Sequence, residues 1–204
     1  RTVPRPRPAA SAGLDLPARG HCTTLDRAPS AGPVRGKMTG PGSSFAAINA
    51  LDRAAFLARF GAIYEQSPWV ADAAWERRPF ADRAALEHAL QDVVRHAGRS
   101  RQLELLRAHP RLGTRLALSG HSRAEQAGAG LGELTAAERS ELEALNDAYE
   151  RKLNFPFILA VRNADLRTIL ASCRSRIGAD ADTEFDESLR QVFRIAAFRL
   201  ADVC

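Results

Sequence analysis

The stretch Leu105–Leu131 reads LLRAHPRLGTRLALSGHSRAEQAGAGL. Leu105 and Leu106 close an apolar helical run, and Pro110 stops it, because proline disfavours the α-conformation of the residue before it. A Gly- and Ser-containing linker follows. Ser122-x-x-Glu125 then carries the capping-box pattern, in which Ser122 bonds the backbone at Glu125 and Glu125 reaches back. The stretch therefore reads as helix, linker, helix, and nothing in it has the two-residue alternation of a strand. It also sets His109 at one helix end and Glu125 at the start of the next.

Working outward, the neighbouring segments are helical too. Toward the N-terminus, INALDRAAFLARFGAIYE places Leu51, Phe56, Leu57, Phe60 and Ile63 on one stripe, with Asp52 as a cap. In SPWVADAAWERRP, Ser67 caps, Pro68 takes the first helical position, Val70 and Trp75 face inward, and Pro79 ends the run. DRAALEHALQDVVRHA gathers Leu86, Leu90, Val93 and Val94 on one face, and Gly98 separates it from SRQLELLRAH. Toward the C-terminus, Thr135-x-x-Glu138 is a second capping box. It opens a helix with Leu142, Leu145, Tyr149 and Leu153 on one side. DLRTILASCRSRIG is closed by Gly178, and ESLRQVFRIAAFRLADV aligns Leu189, Val192, Phe193, Ala196, Leu200 and Val203. FPFILAV alone is strand-like, and one strand makes no sheet, so it is expected as a buried extended segment or a helix start. The fold class is all-α: a single-domain bundle of roughly seven to nine helices.

The 204 residues carry a net charge of +5, which taken alone suggests a nucleic-acid binder. Its distribution argues otherwise. Residues 1–37 hold seven Arg/Lys and two Asp, leaving 22 basic and 22 acidic residues beyond them. Six of the eleven prolines also fall before residue 38. Pro, Gly, Ser and Arg without periodicity bury too little apolar surface to offset ordering entropy, so residues 1–44 are expected to be a disordered tail and residues 45–204 the domain. Met38, the one methionine, stands just before the first periodic helix and fits a translation start there. An Arg-rich transit peptide is the rival, weakened by its prolines. Cys22, Cys173 and Cys204 are odd in number and far apart, which fits a reducing cytoplasm rather than a disulfide framework. No run approaches the apolar length of a membrane helix.

His109 at a helix C-terminus is expected to be drawn toward the charged form by the macrodipole, or simply to cap orphan carbonyls. Ser122 and Glu125 need no role beyond capping. If the linker folds back, however, His109 meets Glu125 and forms an acid–base pair. Arg162 after the apolar run is a solvated boundary residue or a grip for a carboxylate. His121 and Glu125 are four apart, but no HExxH is present and no metal is expected. His21, His88 and His96, and the ERR and RSR clusters, read as surface.

Four segments, SPWVADAAWERRPF, LLRAHPRLG, HSRAEQAGAGL and LNDAYERKLNFPFILAVR, together resemble the 2-oxo-4-hydroxy-4-carboxy-5-ureidoimidazoline (OHCU) decarboxylases, in order and in register from about Leu51 to Val203. The resemblance implies an all-α, cofactor-free and metal-free enzyme, usually a homodimer. It removes CO2 from a ureidoimidazoline carboxylate to give (S)-allantoin in urate degradation, with neither nucleic acid nor membrane as partner. Matched position by position, it implies His109 and Glu125 as catalytic residues. Pro110, Ser122, Gln126, Phe155, Ile158 and Arg162 match positions that contact substrate. Arg111, Asn154 and Asn163 depart from what many relatives carry. Asn154 stands where a glycine is common, and asparagine tolerates left-handed backbone. Two rivals remain at this point: a helical interaction module that kept the fold without the chemistry, and a metal-dependent hydrolase.

Overall fold

Leu86, Leu90, Val93 and Val94 recur at helical spacing and all four are buried, so the helix that carries them is a centre of packing. In the computed structural model, residues 45–113, 120–131, 134–162 and 164–204 are described. Expectations about residues 1–44, including the tail and Cys22, and about Asn163 lie outside those residues. Residues 39–204 form one compact unit. Nine helices are present among the described residues: α1 Phe45–Asn49, α2 Arg53–Phe60, α3 Pro68–Trp75, α4 Arg83–Arg95, α5 Gly98–Arg107, α6 Gly120–Gly128, α7 Ala136–Leu153, α8 Leu166–Arg176 and α9 Ala181–Val203. The all-α expectation holds.

Local chemistry explains most boundaries. Asp52, Asp82, Asp165 and Asp180 each accept backbone N–H groups at an N-cap, and Thr135 and Glu138 complete the predicted capping box of α7. Such caps satisfy donors that the first helical turn leaves unpaired. Pro68 occupies the first position of α3, but the Ser67 side chain makes no capping bond. Asn154 ends α7 at φ 64°, the left-handed conformation that asparagine tolerates. The first predicted helix is split: Asp52 caps α2, α1 precedes it, and Ile63 is buried in a turn beyond α2. The last helix starts at Ala181, earlier than its apolar stripe.

α3 packs against α2 and α4, α9 lies along α4 and α5, and α7 pairs with α8. Residues 155–161 are neither helix nor strand and are buried except for half-buried Leu159, as the first of the two readings required. Two arginines expected at a solvated surface are not free there. The Arg78 guanidinium sits 3.9 Å from the Trp75 ring and donates to the Asn49 and Leu51 carbonyls. Arg176 is paired with buried Glu184. Each finds backbone carbonyls that helix ends and irregular chain leave without partners, a demand that a charge cluster in sequence does not reveal. No described helix is long and apolar enough to cross a membrane.

Candidate functional site

α5 ends at Arg107, and the chain turns through Ala108 with the His109 N–H on the Leu106 carbonyl at 3.2 Å. The turn drives the imidazole inward. His109 is 8% exposed, and among the described residues neither ring nitrogen has a partner in good hydrogen-bond geometry; the Leu105 backbone lies near enough to act only weakly. Burial first, and the Arg199 charge second, lower its pKa to about 4, against weaker opposing effects from Glu65 and the Leu105 backbone. The imidazolium expected from the helix dipole is therefore corrected to a neutral imidazole at neutral pH. Desolvation of a fully enclosed charge outweighs a terminal partial charge.

α6 supplies the facing residues. It is helical from Gly120, so Ser122 and Glu125 lie within it and do not form the expected capping box. Their side chains are engaged elsewhere. Ser122 Oγ donates to Glu65 Oε2 at 2.7 Å, and Glu125 receives both Nε and Nη2 of Arg199 at 2.9 and 2.8 Å. Gln126 joins α6 to the His109 turn. Its Oε1 accepts from the Gly113 N–H at 2.9 Å, and its Nε2 reaches the Arg111 carbonyl at 3.4 Å.

Glu65 and Arg199 did not emerge from the sequence. Glu65 sits in the irregular segment after α2, and Arg199 lies within the last turns of α9; they are 3% and 1% exposed. The Arg199 guanidinium donates to Glu125 twice, to Glu65 at 3.0 Å, to Ser122 Oγ at 3.1 Å and to the Ile63 carbonyl at 3.4 Å. Those contacts account for all five of its N–H groups. Burial opposes its charge, but Glu125 and Glu65 hold its pKa above the usual arginine value. One signal was available: Arg199 falls three residues after Ala196 and seven after Val192, on the apolar stripe itself, where a charge requires buried partners.

His109, Pro110, Ser122, Glu125, Gln126, Arg199 and the wall residues Phe157, Ile158, Leu159 and Val161 line one cleft. His109 and Glu125 do line the same cleft, though no hydrogen bond joins them and most of the linker expected to fold back lies outside the described residues; Glu125 is held by Arg199. Phe155 lies outside this cleft, edge-on to Tyr149 and Phe185 in the core. Arg162 is also outside it. It is ion-paired with Asp202 at 2.5 Å and lines an adjoining cavity of about 610 Å³ with His121 and Glu125. Glu125 is thus shared by both spaces. Among the described residues, no group of three or more His, Cys, Asp or Glu is arranged to hold a metal. A buried neutral imidazole, a fixed carboxylate and an apolar wall suit proton transfer to a small planar molecule.

The family model described as OHCU decarboxylase matches residues 49–201. The 2-oxo-4-hydroxy-4-carboxy-5-ureidoimidazoline decarboxylase of Halalkalicoccus jeotgali is 40% identical over 156 residues, covering 76% of this chain and 89% of its own. That of Haloferax volcanii is 41% identical over 155 residues, covering 76% and 92%. The crystal structure of (S)-allantoin synthase superposes with a TM-score of 0.65 at 32% identity, over 78% of this chain and 53% of that longer one. An OHCU decarboxylase crystallised with (S)-allantoin gives a TM-score of 0.58 at 19% identity and supports the fold alone. Because the family match contains every residue of the His109 cleft, and close relatives match over nearly their whole length, the chain belongs to the OHCU decarboxylase family.

Proposed function

We propose that the protein decarboxylates 2-oxo-4-hydroxy-4-carboxy-5-ureidoimidazoline to (S)-allantoin in urate degradation, with the His109 cleft as its active site. The observation that carries this reading is His109 itself. It is a buried imidazole whose nitrogens have no well-formed hydrogen bond among the described residues, in one cleft with Glu125, Ser122 and Gln126. An orphaned buried polar group is costly, and a ligand that bonds it removes the cost.

The chemistry needs little from the protein. When CO2 leaves, its bonding electron pair enters the adjacent C=N bond, whose nitrogen takes a proton, leaving an enol. The hydroxyl proton then departs, and the neighbouring ring carbon gains a proton, giving the ketone. Neutral His109 accepts the hydroxyl proton and returns one to carbon on a single face, which fixes the enantiomer. Glu125, immobilised by Arg199, steadies the imidazolium that forms or holds the ureido group. Ser122 and Gln126 contribute polar contacts at the rim of α6, and Pro110 and Ile158 contribute apolar ones. Phe155 supports the wall from the core. Arg162 acts from the adjoining cavity, attracting the anionic substrate rather than gripping it beside His109. No cofactor is required, because the substrate carries its own electron sink. We further place the enzyme in the cytoplasm, which suits free, buried Cys173, and take it to act as a homodimer, with residues 1–44 outside the catalytic domain.

The test couples urate, urate oxidase and the hydrolase that forms the substrate, with optical rotation followed after this protein is added. Wild type is expected to produce (S)-allantoin faster than spontaneous decay. His109→Ala is expected to lose stereoselective formation entirely while its helical circular dichroism persists. Full activity in that variant sinks the assignment.

A further inference from the structure

The apolar wall of the cleft poses a structural problem. Residues 155–161 belong to no helix or sheet, so their peptide groups have no ladder of their own, yet most of them are buried. Two side chains from outside the cleft meet this need. Arg176 Nη1 donates to the Ile158 carbonyl at 2.8 Å, and Gln191 Oε1 accepts from the Ala160 N–H at 3.0 Å. The same guanidinium lies 4.7 Å from the Phe157 ring centroid, so it touches the wall through backbone and side chain together.

Arg176 is in turn fixed. It is paired with Glu184, with Nε at 3.0 and 3.2 Å from the two carboxylate oxygens, and Nη2 reaches Ser188 Oγ at 3.3 Å. Glu184 is 1% exposed and also accepts from the Tyr149 hydroxyl and from Ser188. The Tyr149 ring packs edge-on against Phe157 at 5.2 Å. None of Arg176, Glu184, Ser188 or Gln191 lines the cleft. A buried Arg–carboxylate pair is weak support for a fold, since apolar residues of similar volume often do as well. A hydrogen bond that sets an irregular backbone has no apolar substitute.

We propose that Arg176, seated by Glu184, and Gln191 are positioning residues for the decarboxylation: they fix the Phe157–Val161 wall against which the substrate ring lies, and so determine which face is protonated. This role rests on the activity proposed above.

The decisive variant is the double replacement Arg176→Met/Glu184→Gln. Methionine fills the volume of the arginine stem, and glutamine keeps partners for Tyr149 and Ser188, so the fold should survive. Circular dichroism and the urea midpoint are expected to stay near wild type. KM should rise and kcat/KM fall roughly tenfold to a hundredfold, the scale of small misplacements in an active site, and the allantoin should lose enantiomeric purity. Gln191→Leu should give the same signature. The exchange Glu187→Gln/Gln191→Glu, which keeps both an acceptor for Ala160 and the Gln191–Glu187 bond, should restore it. A folded double variant with wild-type KM and optical purity overturns the positioning role alone. A wild-type protein that does not accelerate (S)-allantoin formation overturns the functional reading and this role with it.

Discussion

Two arginines flank the cleft, Arg199 buried and Arg176 part-buried, with nearly the same bonding chemistry and a different charge balance. Arg176 meets one carboxylate, Glu184, and spends its remaining donors on Ile158 and Ser188. Arg199 meets two, Glu65 and Glu125, together with Ser122 and Ile63. The first cluster is formally neutral and lies behind the wall. The second, among the described residues, sets two carboxylates against one guanidinium and lines the cleft beside a neutral histidine. A paired arginine and carboxylate can be replaced together by apolar side chains with little effect on the fold, whereas removing one guanidinium from between two carboxylates leaves their charge behind. At His109 the Arg199 charge outweighs that of Glu65, so the cluster keeps the resting imidazole neutral and able to accept a proton.

The largest effect should therefore come from removing that cation. Arg199→Met takes the guanidinium away from buried Glu65 and part-buried Glu125 and is expected to cost about 3–5 kcal/mol, the usual penalty for breaking a buried ion pair from one side, and to abolish activity. Urea unfolding of this variant beside Arg176→Met/Glu184→Gln measures the contrast directly. Equal, small losses in both would break it.

The histidine gives the next effect. His109 takes up its proton near 6.5 when unfolded and near 4 when folded. Between those values the unfolded state binds more protons, so stability falls as pH drops through this window and is untouched above it. The slope is at most ~1.4 kcal/mol per pH unit, or roughly 3 kcal/mol in all. Carboxylates such as Asp72 and Asp202, held low by Arg53 and Arg162, also lose stability in acid. The readout is thus the difference between wild type and His109→Asn, whose unfolding free energies should converge as pH falls from 6.5 toward 4. The acid limb of kcat/KM, which reports the free enzyme, should likewise lie nearer pH 4 than 6.5.

Gly113 tests how the His109 turn is held. Its φ is +80°, and an added Cβ would come within 2.6 Å of Leu142 Cδ2, the movable end of a side chain. Gly113→Ala is expected to cost ~1–2 kcal/mol, mostly for the left-handed backbone. Activity should fall as well, because the Gly113 N–H is tied to Gln126. Thermal unfolding and kcat of the one variant separate the two effects.

How legible these features were depended on the physics each one uses. The apolar stripes of α4 and α7 and the Thr135 capping box were readable because periodicity and capping are local. The His109-Pro110 turn was readable too, since proline acts on its immediate neighbour. The state of His109 was not: the sequence shows a helix end, but burial of the ring is set by α6, α9 and the 155–161 wall. Ser122-x-x-Glu125 looked like a cap because a serine and a glutamate at that spacing satisfy a local rule, and the partners that claim them, Glu65 and Arg199, lie 57 and 74 residues away in the chain. Arg176 and Arg78 were misread for the same reason. Long-range pairing of charged groups leaves no periodic trace, except where a charge interrupts an apolar stripe, as Arg199 does.

The smallest effect should come from a third arginine, the exposed counterpart of Arg176 and Arg199. Arg162 is paired with Asp202, and that contact raises its pKa and lowers the carboxylate's. The pair lies at the surface, with side chains 35% and 49% exposed, so solvent screens most of its energy. Arg162→Gln is expected to cost less than about 1 kcal/mol. Because Arg162 lines the cavity that shares Glu125 with the His109 cleft, its charge should matter to an anionic substrate on approach. KM should rise several-fold at low ionic strength, and the difference from wild type should shrink as salt screens the field, with kcat unchanged. A salt-independent loss of kcat would instead place this guanidinium in contact with the reacting carboxylate, which requires the Arg162–Asp202 pair to open when substrate binds.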